Sequence, residues 1–322
     1  MNPSSEPTWE VVVREARDVA AGIKLFRLER SDGSPLPDFA AGDHIGITVA
    51  PGITRSYSLI DSAAVGPRAY RVAVALAPAS RGGSKGLHDM AVAGSILRIS
   101  RPSSGFPVFA DAPLSVLIAG GIGITPVLSA ARFLSESGRP WVLHYAVATR
   151  GRAAFIDELI DLSRNSSGEF HLHVDAETNR TMDVAAIVAN TELDAHIYCC
   201  GPAPMIAAFD HATTDRDPTT VHVERFANDT PAATGGFVVE LARSALEVTV
   251  QDDESILDAV LDAGVTVDFS CMEGICGSCR VGVLAGSPDH RDTYLSKDDR
   301  ASGSTMIICC SGAKGDRIVL DI

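Results

Sequence analysis

The stretch Cys271–Cys279, with the sequence CMEGICGSC, fixes the architecture of the last third of this 322-residue chain. Its cysteines have the spacing C-x4-C-x2-C, and 29 residues separate the last of them from Cys309. This is the plant-type [2Fe-2S] spacing. Gly274 and Gly277 let the backbone approach the inorganic sulfurs and point N–H groups at them. We therefore predict four thiolate ligands for a [2Fe-2S] cluster: Cys271, Cys276, Cys279 and Cys309.

A structural zinc site is the rival interpretation of these cysteines, although zinc ribbons usually pair two C-x2-C knuckles. Cys310 follows Cys309 directly. The spacing favours Cys309 as the fourth ligand, and we expect the Cys310 thiol to point away into the core, as free cysteines commonly do. The chain has seven cysteines, an odd number clustered late in a long sequence. Metal ligation therefore explains them better than structural disulfides.

The composition is that of a folded protein, with 46% hydrophobic and 21% charged residues. A net charge of −14 disfavours nucleic acid and anionic membranes as partners. The N-terminus lacks the pattern of a secretion signal, which predicts a cytoplasmic location. The 18-residue stretch Leu114–Ala131 carries no charge, but its glycines and Pro126 indicate a buried strand, a turn and a helix instead of a membrane span.

Three patterned regions predict a multidomain chain that combines all-β and α/β parts. Short alternating segments up to about residue 110 indicate an antiparallel barrel. Residues 111–227 alternate apolar strands with helices, as in a doubly wound α/β domain with a mostly parallel sheet. Residues 228–236, rich in small residues, have the composition of a linker. Residues 237–322 form the cysteine-containing domain, in which 15 acidic residues outnumber 7 basic ones; this excess indicates either an acidic docking face or a solvated surface.

The second motif is SVLIAGGIGITPV, residues 115–127. An apolar strand runs into three glycines, and Thr125 can cap the following helix with Pro126 in its first turn. Free N–H groups at such a turn suit a pyrophosphate. The alternative interpretation is a tight strand-to-helix turn with a purely structural role. The predicted binding residues are Gly120, Gly121, Gly123, Thr125 and Pro126.

A similar arrangement recurs in HIYCCGPAPMIAAF, residues 196–209, which places Cys200, Gly201 and Pro202 at another strand end. Thr149, Arg150 and Arg152 follow the strand WVLHYAV. An arginine there could hold the 2'-phosphate of NADPH or contact only the pyrophosphate, so the choice between NADH and NADPH stays open.

The third motif lies in the barrel region, in RSYSL and SRGGSKG. The first segment offers an aromatic face and hydroxyls for a flavin ring, and the second offers glycine N–H groups and cations for a phosphate. The alternative is an ordinary strand and a surface turn. The candidate residues are Arg55, Ser56, Tyr57 and Ser58, with Arg81, Gly82, Gly83 and Ser84.

Together the three motifs resemble the phthalate dioxygenase reductase family over essentially the whole chain. The resemblance implies an N-terminal FMN-binding barrel, an NADH-binding domain and a C-terminal β-grasp ferredoxin domain. The C-terminal position of the ferredoxin domain favours FMN over FAD. The segments DHRDTYLS (Asp289–Ser296) and VHVERF (Val221–Phe226) also look like signatures of this family. The chain departs from the family at Ala75, where many members have a lysine, and at Cys310, where a small apolar residue is common; Lys85 could replace the missing cation.

The resemblance implies a reductase component that serves aromatic catabolism. Hydride would pass from NADH to the flavin near Ser58, Thr125 and Cys200, and single electrons would then pass through the cluster to a Rieske-type oxygenase or demethylase. No general acid or nucleophile is required, because the protein positions and tunes its cofactors. Two alternatives stay open: a stand-alone flavin or ferric reductase, and a redox-sensing module. The oligomeric state is not predicted.

Overall fold

The computed structural model describes residues 8–50, 53–77, 83–226, 228, 230–269 and 271–322. They form two compact units, one ending at Arg225 and the other running from Phe226 to Ile322. The first unit contains an antiparallel sheet and a parallel sheet, and the second contains the four predicted cluster cysteines. The predicted boundary near residue 110 lies inside the first unit and stays a prediction.

The antiparallel sheet of the first unit has the strand order β4-β3-β6-β1-β2-β5, and β7 pairs with β3. Apolar residues alternate along its strands and fill one core, which includes Val11, Phe26, Ile45 and Val72. The elements are β1 (Trp9–Ala20), β2 (Ile23–Arg30), β3 (Asp43–Ala50), β4 (Ile53–Ser58), β5 (Tyr70–Ala75), helix α1 (Gly83–Met90), β6 (Ile96–Ile99) and β7 (Ser103–Ser104).

The predicted barrel is present as an antiparallel, barrel-like sheet. Among the described residues its two outer strands, β4 and β5, share no continuous ladder. A single antiparallel bridge joins Leu59, just after β4, to Val72 in β5. The hydrogen bond from Ile60 N–H to Arg71 O, at 3.1 Å, lies beside this bridge.

The parallel sheet has the order β10-β9-β8-β11-β12, and every neighbouring pair is parallel. Its strands are β8 (Ser115–Gly120), β9 (Trp141–Val147), β10 (Gly168–Val174), β11 (His196–Cys200) and β12 (Val221–Glu224). Its helices are α2 (Ile124–Glu136), α3 (Ile156–Arg164), α4 (Asp175–Thr178), α5 (Val184–Ala189) and α6 (Ala203–Ala212). Short 3₁₀ turns cover Gly121–Gly123, Arg150–Arg152 and Pro218–Thr220.

Apolar residues on opposite faces of this sheet belong to different cores, which confirms the doubly wound arrangement. Leu117 and Tyr198 pack with α2 and α3 on one face. Ile118 and Cys199 pack with α5 and α6 on the other face. The strand order reverses between β8 and β11, and such reversals are where doubly wound sheets bind ligands.

The uncharged stretch Leu114–Ala131 divides as predicted into a strand, a turn and the start of a helix, here β8, the 3₁₀ turn and α2. Within the described ranges, no helix combines the length and the apolar character needed to cross a membrane.

The second unit has a five-stranded mixed sheet in the order β14-β13-β19-β15-β17, and a separate pair, β16 with β18. Helix α7 packs on the sheet, and serine–aspartate capping boxes start both helices at Ser255 and Ser296. The elements are β13 (Phe237–Leu241), β14 (Leu246–Val250), α7 (Ile256–Asp262), β15 (Arg280–Ala285), β16 (Pro288–Asp289), α8 (Lys297–Ser302), β17 (Thr305–Ile307), β18 (Gly312–Ala313) and β19 (Arg317–Leu320).

The described part of the predicted linker 228–236 lies against the second unit. Ala233 N–H donates a hydrogen bond to Cys310 O at 2.9 Å, and Gly236 N–H donates one to Val250 O at 2.8 Å. The Asn228 side chain donates to Arg291 O at 2.6 Å. The segment therefore contributes to the environment of the cysteine loop.

Candidate functional site

The cysteine loop of the second unit folds with backbone N–H groups directed at sulfur. Glu273 N–H donates to Cys271 Sγ at 3.4 Å, and Cys271 N–H donates to Cys276 Sγ at 3.5 Å. Cys271, Cys279 and Cys309 are buried, and Cys276 is partly exposed. Such N–H donors stabilise thiolates and the negative charge of an iron–sulfur cluster.

The loop glycines are required by their surroundings, because both have left-handed backbone angles and closely packed neighbours. Gly274 has φ +72°, and a Cβ there would lie 2.4 Å from Cys310 Sγ. Gly277 has φ +76°, and a Cβ there would lie 2.2 Å from the ring of Tyr294. Only glycine meets both conditions without displacing its neighbours.

The four cysteine thiols interact in two pairs. A hydrogen bond between Cys271 and Cys276 lowers the pKa of Cys276 to about 5 and raises the pKa of Cys271. A hydrogen bond with Cys309, and then burial, raise the pKa of Cys279. In the part of the chain that the structure describes, no three His, Cys, Asp or Glu side chains converge on a single metal ion. Two thiol pairs, sulfur-directed N–H groups and glycine-dependent turns fit a two-iron cluster.

Cys310 lies in the core as predicted, but its thiol faces the cysteine loop instead of pointing away from it. Its Sγ packs against Gly274, and a hydrogen bond also relates it to the Cys309 thiol. The reason is local. Ser311 N–H bonds back to Ile307 O at 3.1 Å, and this turn does not send consecutive side chains to opposite faces as a strand does.

In the first unit, the two glycine turns predicted from sequence meet at the point where the strand order reverses. A Cβ at Gly120 would lie 2.6 Å from Pro202 Cδ, and one at Gly123 would lie 2.2 Å from Cys200 O. A Cβ at Gly201 would lie 2.6 Å from Met205 Sδ. Gly120 and Gly123 therefore let the two turns pack together, and Gly201 leaves space for the Met205 side chain, roles that the sequence had not separated from ligand binding.

Gly121 differs from these three glycines, because it has φ +55° and a Cβ there would meet nothing within 4 Å. Its position leaves room beside the start of α2. The prediction that Thr125 caps this helix is wrong: the 3₁₀ turn runs straight into α2, which begins at Ile124 after Gly123. Thr125 lies inside the first turn, buried, and its hydroxyl donates to Ile122 O at 3.0 Å, while Pro126 follows it in the same turn.

The arginine after β9 is already paired. Arg150 makes two hydrogen bonds to Glu177, from Nε to Oε1 at 2.8 Å and from Nη2 to Oε2 at 2.6 Å. Both side chains are exposed. Thr149, also exposed, has extended backbone angles directly before this arginine. The positive charge of Arg150 beside the β9 end is therefore balanced by a carboxylate.

The two predicted flavin segments of the barrel lie next to each other. A Cβ at Gly83 would lie 2.8 Å from Arg55 Cγ, so the arginine stem crosses the first residue of α1. Ser84 Oγ accepts a hydrogen bond from Ala77 N–H at 3.1 Å. Ser56 is exposed, and Tyr57 packs partly on the barrel core. Arg81 and Gly82 lie outside the described residues.

The two positions tied to the missing family lysine have ordinary structural surroundings. Ala75 ends β5 and pairs with Ile23 of β2. Lys85 forms an ion pair with Asp89, one turn further along α1.

Two buried polar atoms near the ends of β4 and β12 have no hydrogen-bond partner among the described residues: Ser58 Oγ and Glu224 Oε2. Ser58 pairs across the sheet with His44. A Cβ at Gly105 would lie 3.1 Å from His44 Nδ1 and 3.6 Å from Glu224 Oε1, so this glycine sits between the two side chains. Unpaired buried polar atoms are costly, which makes this place a candidate ligand site.

Glu224 is a candidate site residue that the sequence indicated only as part of a family signature. It pairs with Cys200 across neighbouring strands. Burial alone raises the pKa of the Glu224 carboxyl to about 8, and burial raises the pKa of the Cys200 thiol. Its position at the end of a predicted strand, like that of Cys200, is the sequence signal that could have identified Glu224. The sequence does not show, however, that β11 and β12 are neighbours, because strand order is a property of the folded sheet.

Comparisons with known proteins agree with this architecture. Residues 117–211 match a model described as oxidoreductase NAD-binding domain, and residues 239–314 match one described as 2Fe-2S iron-sulfur cluster binding domain. The chain is 45% identical to phenoxybenzoate dioxygenase subunit beta of Ectopseudomonas oleovorans, covering 94% of each chain. It is 41% identical to tetrachlorobenzoquinone reductase of Sphingobium chlorophenolicum, covering 100% of this chain and 99% of the relative.

Two solved structures are also similar along 98% of this chain. Phthalate dioxygenase reductase matches with a TM-score of 0.76 and 33% identity over 98% of its own length. A type IV self-sufficient cytochrome P450 monooxygenase matches with a TM-score of 0.82 and 35% identity, but this chain spans only 41% of that longer protein. The chain thus contains NAD-binding and [2Fe-2S]-binding domains.

Proposed function

The chain belongs to the phthalate dioxygenase reductase family, and from this premise we propose that it is the reductase component of a two-component oxygenase system. It takes hydride from NADH onto FMN and passes single electrons through its [2Fe-2S] cluster to a Rieske-type oxygenase or demethylase, in the cytoplasm. The proposed domains are 1–110 for the flavin, 111–227 for NADH, a linker at 228–236 and 237–322 for the cluster.

The flavin site of this proposal is built from the two adjacent barrel segments. Arg55 and the start of α1 at Gly83 offer a guanidinium and backbone N–H groups to a phosphate. Tyr57 and Ser58 would contact the ring, and the unpaired Ser58 hydroxyl would find a partner there. A flavin supplies the step that accepts two electrons together and releases them one at a time.

The nicotinamide site lies where the strand order reverses, over the open position at Gly121 and beside Cys200. The pair Arg150–Glu177 supports NADH over NADPH: the arginine charge is already balanced, and the carboxylate would repel a 2'-phosphate. Site-directed exchange of Glu177→Ala is the direct check, because it should improve the use of NADPH.

The residues beside the reacting atoms act by position and by excluding water. Ser58 and Glu224 place unpaired oxygen atoms in a buried setting, Cys200 pairs with Glu224 in the sheet, and Thr125 is buried in the first turn of α2. Because the pKa of Glu224 is raised to about 8, its carboxyl is mainly protonated at neutral pH and can donate a hydrogen bond. No residue is needed as a general acid or nucleophile.

The observation that carries the proposal is the combination of two unpaired buried oxygens at the β4 and β12 ends with a cysteine loop suited to two irons. The test is anaerobic mixing of the purified holoprotein with NADH, followed by EPR and by chromatography of the extracted flavin. We expect the flavin absorbance to bleach rapidly and EPR to show the signal of a reduced [2Fe-2S] cluster. Chromatography should identify the extracted flavin as FMN. A flavin that stays oxidised for minutes at millimolar NADH would refute the enzyme function.

A second candidate is a reductase of small quinones that needs no oxygenase. One observation favours it, namely the 41% identity to tetrachlorobenzoquinone reductase over the whole chain. The two candidates differ in their acceptor. Electron delivery to a co-encoded Rieske oxygenase that is faster than delivery to a benzoquinone supports the first, and the opposite order supports the second.

A further inference from the structure

Helix α2 presents one face to the barrel at the segment that directly continues the predicted flavin strand. The three residues on this face are Ser129, Arg132 and Glu136, which are spaced three and four apart and therefore lie on the same side of a helix. The barrel segment is 60–62, two residues after Ser58. The helix begins right after the glycine turn at Gly121–Gly123.

Each of the three residues contacts the barrel. Ser129 Oγ accepts a hydrogen bond from Gly42 N–H at 3.2 Å and donates one to Asp61 O. Arg132 donates from Nη1 to Asp61 Oδ1 at 3.0 Å and to Ile60 O. Glu136 accepts a hydrogen bond from Ser62 Oγ at 2.7 Å.

Arg132 is the central member of this set, because its guanidinium hydrogen-bonds both to helix α3 and to the barrel. Its Nε donates to Glu158 Oε1 at 2.7 Å, which fixes it to α3, while Nη1 reaches the barrel. Its side chain is only 9% exposed. A buried guanidinium with partners on each side holds both in one geometry, since losing either partner leaves some of its buried N–H groups without an acceptor.

We propose that α2 is the link that sets the distance between flavin and nicotinamide, with Arg132 as its positioning residue. The inference rests on the proposed function. The N-terminal end of the helix carries the turn assigned to the nicotinamide, and its middle holds the segment that follows the flavin strand. Both reactant sites are thus attached to one element, and the hydrogen bonds that Arg132 makes to Ile60, Asp61 and Glu158 reach residues that we assign to neither cofactor.

Hydride transfer requires the two reacting carbon and nitrogen atoms to be held in close contact, and a misplacement of 1 Å can lower the rate about 100-fold. Loosening the link should therefore slow the chemical step more than it weakens NADH binding. A residue with a purely structural role would instead change stability and leave the limiting rate alone.

The test uses the loaded holoprotein and the substitutions Arg132→Met and Ser129→Ala. The matched control is Arg71→Met, because Arg71 pairs with the same Asp61 carboxylate at 3.0 and 3.1 Å but lies in β5 of the barrel itself. Anaerobic stopped-flow with increasing NADH gives the limiting rate of flavin reduction and the dissociation constant. The long-wavelength charge-transfer absorbance reports whether the nicotinamide and flavin rings are stacked.

For Arg132→Met we expect a limiting rate about 10- to 100-fold lower, weakened charge-transfer absorbance and an NADH dissociation constant within about threefold of the parent. Ser129→Ala should lose about three- to tenfold in rate, and its rate decides the outcome if Arg132→Met does not fold. An unchanged rate and charge-transfer band in a folded variant would overturn the proposal, as would an equal loss in Arg71→Met. A parent protein that NADH does not reduce would instead overturn the proposed function.

Discussion

The substitution Gly274→Ala should destabilise the cysteine loop by an amount that can be divided into two causes. The first is backbone angle, because φ is +72° at this position. The second is overlap, because the new Cβ would lie 2.4 Å from Cys310 Sγ and 3.1 Å from Asp292 Cα. The sulfur belongs to a buried side chain and the Asp292 atom to backbone, so neither can move away freely.

The left-handed angle costs roughly 1–2 kcal/mol for an alanine. Overlap in a packed interior adds about 1–3 kcal/mol, so the total is about 2–5 kcal/mol. The matched control is Gly264→Ala, since Gly264 has φ +80° in the same unit and nothing within 4 Å of a Cβ. This control carries the angle cost alone. Its loss should therefore be smaller than that of Gly274→Ala by the overlap cost.

The double variant Gly274→Ala/Cys310→Ala tests the identity of the overlapping atom. Removing the Cys310 sulfur frees the space that the new methyl group needs. The double variant should then be more stable than the sum of the two single changes predicts, with a coupling of about 1–3 kcal/mol.

The assay follows the visible absorbance of the cluster during incubation at a fixed elevated temperature, because cluster loss is irreversible and stability is then measured as a half-time. RT multiplied by the logarithm of the ratio of two half-times gives the free-energy difference for the double-variant comparison. Equal losses in Gly274→Ala and Gly264→Ala, together with additive effects in the double variant, would refute the packing of Cys310 against the loop.

The two sites support three other predictions. Cys309→Ser should abolish or alter the EPR signal of the cluster, whereas Cys310→Ser should keep four-thiolate ligation; the reverse result would exchange their assignments. Burial raises the pKa of Glu224 from 4.5 to about 8, so its contribution to stability is complete below pH 4.5 and lost as the pH rises through 8. Glu224→Gln should therefore flatten the plot of melting temperature against pH between these two values. Parallel plots for the variant and the parent would contradict this prediction. Ser58→Ala should slow flavin reduction by NADH about 10-fold if its unpaired hydroxyl contacts the flavin, and stopped-flow measurement of an unchanged rate would exclude that contact.

Local spacing along the chain was sufficient to predict several elements and one domain. Apolar stretches separated by glycine turns were enough to predict β9 and β11 at their observed bounds, and β8 and α2 within a few residues. The cysteine spacing predicted a [2Fe-2S]-binding domain, which the family match confirms. These predictions succeeded for one reason. Each rests on a sequence pattern within a single segment, in which residues that are close along the chain are also close in space.

Contacts between residues that are far apart in the sequence, in contrast, could be identified only from the folded structure. The strand order brings Glu224 beside Cys200, and the fold sets Gly105 between Glu224 and His44. The turn at residues 308–310 directs the Cys310 thiol toward Gly274. The contacts of Arg132 with Asp61 likewise join residues 71 positions apart. Side-chain spacing along the chain carries no information about such meetings, because the order of strands in a sheet and the packing of helices on it are set by the burial of the whole core.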